Sequence, residues 1–394
     1  MAKAFAAVLG MSPTGLYAVR ELGEAGIRVL GVDTARQAGG YSKHLAADLG
    51  CLLEPDERVL TDRLLAVAER EGARGVLMPT SDSYIEFIAR NASRLSAHYD
   101  FQSSYASATF SSIVDKGRFT GLCSAHGLDA PSFWETKSPD LAGLADRVAY
   151  PCLIKPAVIH QVKEFMAGRK AFIARDATDF RRVAATAAAC ESDWLVQEIV
   201  PGPESNITVF GGYVAKDGSM RQAFTGRKLR QYPPGFGSAS LARSERLEET
   251  LGLSRRFLAA IGYRGVASLE FKLDERDGKL KVIELNPRPA LWYALAHHAG
   301  KRIALAAYDD LSGAVPGPER EQENGVLWRY LLKDLYSAAF YAVKGDGFVL
   351  PPPIVDGARR SSRAVGPVFD LSDPLPVWGE MLNGASKLMS RGLR

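Results

Sequence analysis

Between residues 268 and 290 the chain reads SLEFKLDERDGKLKVIELNPRPA. Two apolar stretches flank the turn Glu275-Arg276-Asp277-Gly278, a hairpin pattern, and they carry Glu270 and Glu284. A carboxylate in an apolar strand is costly unless it is paired, hydrogen-bonded or metal-bound, so two on adjacent strands predict a shared cation. Asn286 lies two residues beyond Glu284, hence on the same strand face, and adds a neutral oxygen. Three hard oxygen donors suit Mg²⁺ (or Mn²⁺), whose remaining ligands would be water and nucleotide phosphate. The plain alternative is a hairpin with salt-bridged acids. Arg288 follows a proline, and its guanidinium beside a metal-bound phosphate would stabilise charge on a transferred phosphoryl group; otherwise it is a surface ion pair.

Glu270 followed by Glu284-Leu285-Asn286-Pro287-Arg288 resembles the metal-binding hairpin of the ATP-grasp superfamily. Three further elements stand in the order that superfamily uses. Asp115-Lys116 resembles the helix start whose lysine approaches the nucleotide, Ile154-Lys155-Pro156 the strand-end phosphate lysine, and Val196-Gln197-Glu198-Ile199-Val200-Pro201-Gly202 the hinge between lobes. The resemblance covers roughly residues 1 to 320. It implies that ATP lies between two lobes, with Gln197, Glu198, Ile199 and Val200 along the adenine and the backbone of Glu198 and Val200 reading its edge. It also implies that Glu204 accepts a ribose hydroxyl, although a solvated loop acid fits the sequence too.

A lysine that ends a strand stands at a cleft mouth, where it can offset phosphate charge; Lys155 is such a residue. The run Arg227-Lys228-Leu229-Arg230 clusters three cations before the loop Gln231 to Ser238, and the resemblance puts that loop beside the phosphates with Lys228 and Arg230 as contacts. The loop after Lys155, AVIHQVKEFMAGRK, has only Gly168 where the superfamily is commonly glycine-rich, so a different lid is implied. Lys170 is a cation candidate there, while His160 and Lys163 read as solvated.

The chemistry implied has two steps: a carboxylate attacks the γ-phosphate of ATP, then an amine displaces phosphate from the acyl-phosphate. The chain resembles the carboxylate-amine ligase branch that includes D-aspartate ligases, with small-molecule acid and amine as partners. A small-molecule kinase and a non-catalytic nucleotide sensor are the alternatives.

These residues must be positioned by an α/β scaffold. Strand 4 to 9, turn Gly10 to Gly15, helix Leu16 to Ala25 and strand Arg28 to Asp33 form a βαβ opening, and Gly75 to Met78 followed by a helix at Ser83 to Asn91 repeats it. The turn Gly10-Met11-Ser12-Pro13-Thr14-Gly15 lacks the GxGxxG spacing, so NAD is not implied; by analogy it and Pro79 to Asp82 line a substrate pocket. The expected architecture is an open parallel α/β domain over residues 1–110, a small α+β lobe over 111–202, a larger α+β lobe over 203–324 and a C-terminal appendage over 325–394. Strands are expected at 206–214, 265–273 and 279–285, around a helix at 246–261. His297 and His298, adjacent on a helix after Trp292 and Tyr293, diverge and make a poor metal pair.

A net charge of +4 over 394 residues shows no basic stripe and points away from nucleic acid. Four dispersed cysteines without CxxC pairing read as reduced, buried thiols of a cytoplasmic protein. The N-terminal apolar run reads as a strand rather than a signal peptide, and no run is long enough to cross a membrane. The tail segment Leu327 to Val343 reads as a docked core helix, with a peripheral membrane contact as the alternative. A homodimer is left open.

Overall fold

The computed structural model describes residues 4–51, 57–157, 166, 171–188, 190, 192–344, 347–355 and 363–383. Its first layer is a sheet of strands β1 (Phe5–Leu9), β2 (Val29–Asp33), β3 (Ala47–Cys51), β4 (Gly75–Pro79) and β5 (Tyr99–Asp100). All pairs are parallel, in the order β3-β2-β1-β4-β5. Every residue of β1 is buried, because helices cover both faces. Ala6 and Val8 enter the core beside α1 (Pro13–Glu24), while Phe5, Ala7 and Leu9 face that of α2 (Glu57–Glu71) and α3 (Asp82–Arg90). The chain leaves β1 toward β2 on one side and finds β4 on the other, so the loops after β1 and β4 part and open a crevice. The turn after β1 is tight: a Cβ on Gly15 would lie 1.9 Å from the Gly10 carbonyl oxygen.

Helices α4 (Ala92–Leu95), α5 (Ala108–Val114) and α6 (Lys116–Ala125) lead to a four-stranded antiparallel sheet. Its strands are β6 (Phe133–Lys137), β7 (Cys152–Pro156), β8 (Phe172–Ala174) and β9 (Asp193–Glu198), in the order β6-β9-β7-β8. Helix α7 (Ala177–Ala187), capped by the Asp176 carboxylate on the Asp179 N–H, covers one face over Ile154, Trp194 and Val196.

The third sheet is formed by β10 (Ile207–Val214), β11 (Met220–Tyr232), β12 (Ser238–Ser244), β13 (Gly265–Leu273), β14 (Leu280–Asn286), β15 (Val326–Arg329) and β16 (Arg363–Val365). The order is β14-β13-β10-β11-β12-β15-β16, antiparallel except for the last pair. Leu269 and Phe271 face α8 (Glu248–Ala260), and Ile113, Phe119 and Cys123 of α5 and α6 join this same core. Alternation turns Ser268, Glu270 and Lys272 to the opposite face. The stretch 227–238, expected as three cations followed by a loop from Gln231 to Ser238, is the end of β11 and a short turn into β12. Its polar residues mimic a loop in sequence, but Lys228 and Gln231 are buried on a strand.

Helices α9 (Tyr293–His298) and α10 (Ile303–Ser312) pack this sheet onto the first domain. The C-terminal appendage is tied in at both ends. It supplies two strands and α11 (Leu331–Lys344), and returns to the first domain where Arg20 reaches Asp373 at 2.9 Å. The expected helix over 327–343 thus begins as strand β15. Residues 376–383 form a further helical run.

Candidate active site

The hairpin β13–β14 brings its acids together through an irregularity the sequence does not announce. Near the turn Leu273 pairs with Leu280 and Phe271 with Val282, a register that would set Glu270 opposite Ile283 and throw Glu284 to the other face. One extra residue in β14 shifts the pairing, so Glu270 faces Glu284 and Ser268 faces Asn286. The bulge therefore aims both carboxylates and the amide at one side. Asn286 Nδ2 donates to Glu284 Oε1 at 2.8 Å. Lys228, 2 % exposed, reaches across from β11 and places Nζ 2.5 Å from Glu270 Oε2. Burial pushes the Glu270 carboxyl up from its ordinary range, Lys228 pulls it back and the Glu284 charge pushes it further up. Two carboxylates and an amide oxygen on one face are a hard-oxygen donor set that fits Mg²⁺. Among the described residues no group of three or more His, Cys, Asp or Glu gathers, at this hairpin or elsewhere.

Lys228 had been expected to contact phosphate or substrate; its ammonium is here the counter-ion of Glu270. Arg230 is likewise committed: its guanidinium forms a two-pronged pair with the fully buried Asp334 of α11, at 2.7 and 2.9 Å. In this structure the cation that was to meet phosphate anchors the tail. Arg288 extends from the end of β14 to Asp82 in the first domain, with two hydrogen bonds of 2.7 and 2.8 Å. Asp82 opens α3 at the crevice between β1 and β4, so this pair bridges the acidic hairpin to the loops that line the crevice. Beside it Asp33 accepts the Met11 N–H at 2.6 Å and the Thr34 N–H at 2.7 Å, fixing the turn.

In the small sheet Leu153 and Lys155 alternate with the buried Cys152 and Ile154, and they pair with Gln197 and Leu195. Lys155 and Gln197 therefore share the face turned away from the small lobe's core. The side chain of Glu198 goes elsewhere. It is 5 % exposed and accepts from the Ser132 N–H at 2.9 Å and from Arg276, which also holds Asp274. Its own N–H donates to the Ser132 carbonyl at 2.9 Å, and the Ile199 N–H to Pro151 at 2.8 Å. The Glu198 N–H is thus spent on Ser132, while its carbonyl is the group that an exocyclic amine would meet. Lys272, which the sequence reading passed over, donates to the Val200 carbonyl at 2.8 Å; burial pushes its ammonium down to about 8. Its signal was present as a cation alternating with Glu270 in an apolar strand.

Glu204 is neither a solvated loop acid nor open to a ribose. It is fully buried and accepts backbone N–H groups of Gln231, at 2.9 Å, and of Gly235, so it pins the turn between β11 and β12. Lys116 begins α6 beside its N-cap Asp115. Lys170, with His160 and Lys163, lies outside the described residues. His297 binds the buried Glu21 at 3.0 Å and is a packing group between domains, as expected.

No family model matches the chain. A D-aspartate ligase of Enterococcus faecium (strain Aus0004) is 27% identical over 266 residues, spanning 63% of this chain and 62% of that protein. Solved structures share the fold. N5-carboxyaminoimidazole synthetase from Staphylococcus aureus complexed with ADP has a TM-score of 0.61 at 13% identity, over 81% of this chain and 80% of its own. Biotin carboxylase from Campylobacter jejuni, in an ATP-analogue complex, gives 0.61 at 15% over 82% and 74%. L-amino acid ligase from Bacillus licheniformis gives 0.58 at 16% over 83% and 79%. With two lobes of this topology behind a parallel α/β domain, the chain shares the fold of these ligase and carboxylase structures.

Proposed function

We propose that the chain is an ATP-dependent ligase that joins a carboxylate to an amine and releases ADP and phosphate. The observation that carries the reading is the bulged hairpin: it spends a strand irregularity to bring Glu270, Glu284 and Asn286 onto one face. These three residues would hold Mg²⁺ or Mn²⁺, which supplies Lewis-acid neutralisation of phosphate charge. Lys228 stands against Glu270 as its counter-ion. Lys155, with Lys116 and Lys170, is assigned to the phosphates, and Gln197, the Glu198 backbone, Ile199 and Val200 to the adenine edge. Arg288, at the mouth of the crevice, is assigned to charge developing on the transferred phosphoryl group and the acyl oxygen.

The reaction is a carboxylate attack on the γ-phosphate followed by amine attack on the acyl-phosphate, so the chain's task is orientation and exclusion of water. The named relatives support an amino acid as one substrate. Cys123, Cys152 and Cys190 carry free thiols; burial pushes Cys123 and Cys152 up to about 12, so neither is a nucleophile. The test is a screen of amino acids and small carboxylates, paired with amines, for ADP release. One combination should release ADP with the native chain and none with Glu284→Gln; equal release by the variant would overturn the metal assignment.

A further inference from the structure

Helix α11 is amphipathic the wrong way round. Its buried stripe, at spacing i, i+3 and i+7, is Asp334, Ser337 and Tyr341. Asp334 takes both Arg230 and Arg329, and the Ser337 hydroxyl donates to the Gln231 carbonyl at 2.6 Å, so polar contacts fasten the helix to β11. The apolar side chains point outward: Leu332 is 78% exposed, Val343 84%, and Leu331, Leu335 and Tyr336 half or more. A surface helix ordinarily does the reverse. The helical run 376–383 repeats the pattern, with Leu375, Trp378, Met381 and Leu382 exposed. The Tyr330 hydroxyl donates to Glu380, which sets this run against the start of α11 and joins the two faces.

Charge decides what covers them. Of the described acids of this tail, Asp334 and Asp373 are buried on arginines, Glu380 holds Tyr330 and the half-buried Asp370 accepts from Ser372. Lys344 is exposed, and Lys333 lies 3.8 Å from the Tyr330 ring at the patch edge. Residues 325–394 contain nine Lys and Arg against six Asp and Glu, which supplies +3 of the chain's net +4. A two-fold interface between copies would set this positive rim against itself, whereas anionic headgroups complement it. Tyr336 and Trp378 are the aromatic types that settle at a membrane–water interface.

We propose that this face is a docking surface for an anionic lipid bilayer, with α11 lying in the plane of the interface. No helix of the described residues is long and apolar enough to cross a membrane, so the contact is peripheral. The inference is independent of the ligase reading. The full chain is sedimented with phosphatidylcholine vesicles and with vesicles rich in phosphatidylserine, at low and at physiological salt. The bound fraction should be about tenfold higher on anionic vesicles at low salt and fall with salt. Leu332→Glu with Val343→Glu, and separately Lys333→Glu with Lys344→Glu, should each weaken binding about tenfold with unchanged thermal midpoints. Absence of binding to anionic vesicles at low salt would overturn the proposal. So would equal binding to both vesicle types, or a dimer in sedimentation velocity that Leu332→Glu with Val343→Glu dissociates while vesicle binding stays unchanged.

Discussion

Replacing Lys228 by methionine separates a metal site from an ordinary salt bridge. The ammonium is 2.5 Å from Glu270, and the two side chains are 3 and 12 % exposed, so solvent screens the pair little. Methionine keeps the stem and removes the charge. Glu270 then faces Glu284 across the strands with its nearest counter-charge gone. Breaking a buried pair from one side costs about 3–5 kcal/mol, and the partly open rim of this one puts the expected loss near the lower figure. Divalent cation should then act on the variant more than on the native chain, since Mg²⁺ no longer competes with the ammonium for Glu270 and stabilises by mass action. Urea unfolding followed by fluorescence, with and without millimolar Mg²⁺, reads both effects. A variant as stable as the native chain, or one that gains nothing extra from Mg²⁺, would refute the assignment of Lys228 as the carboxylates' stand-in cation.

Asp82→Asn should change stability by less than about 1 kcal/mol, since Asp82 is half exposed, yet slow ADP release about tenfold by freeing Arg288; a stability loss with unchanged turnover would make the pair structural. His298 is pushed down to about 4, first by burial and then by His297 and Arg363, against opposing pulls from Asp370 and Glu24. Its neutral form is the folded one, so the unfolded chain binds the extra proton between pH 6.5 and 4. Stability should therefore fall through that window by up to about 1.4 kcal/mol per unit, and His298→Gln should flatten the fall in acid titrations of unfolding. Gly15→Ala should cost about 3 kcal/mol or more, because its Cβ meets backbone 1.9 Å away, while Gly121→Ala, with open space in α6, should gain about 0.5–1 kcal/mol in the same unfolding measurement.

The parallel sheet was readable because β1, β2 and β4 are short, apolar but for the closing Asp33 of β2, and followed by turn residues. The acids of the hairpin stood out for the same reason, against an apolar background. What aims Glu284 was hidden: a bulge is a choice of register, and Ile283 looks like any strand residue. β11 was missed because its cations are buried and paired with partners remote in sequence, Glu270 for Lys228 and Asp334 for Arg230. Glu204 failed as a ribose ligand for a related reason, since the backbone that covers it comes from residues 231 and 235. The tail helix inverted the usual rule, with its polar side chains buried and its apolar ones outward, so its period was visible and its orientation was not.

The most direct measurement follows oxygen. With the accepted carboxylate substrate labelled with ¹⁸O, attack on the γ-phosphate transfers one labelled oxygen to phosphate when the amine completes the reaction. The account predicts one ¹⁸O in each released inorganic phosphate, in step with ADP and a new amide. Unlabelled phosphate, or a stable phosphorylated product without an amide, would contradict it.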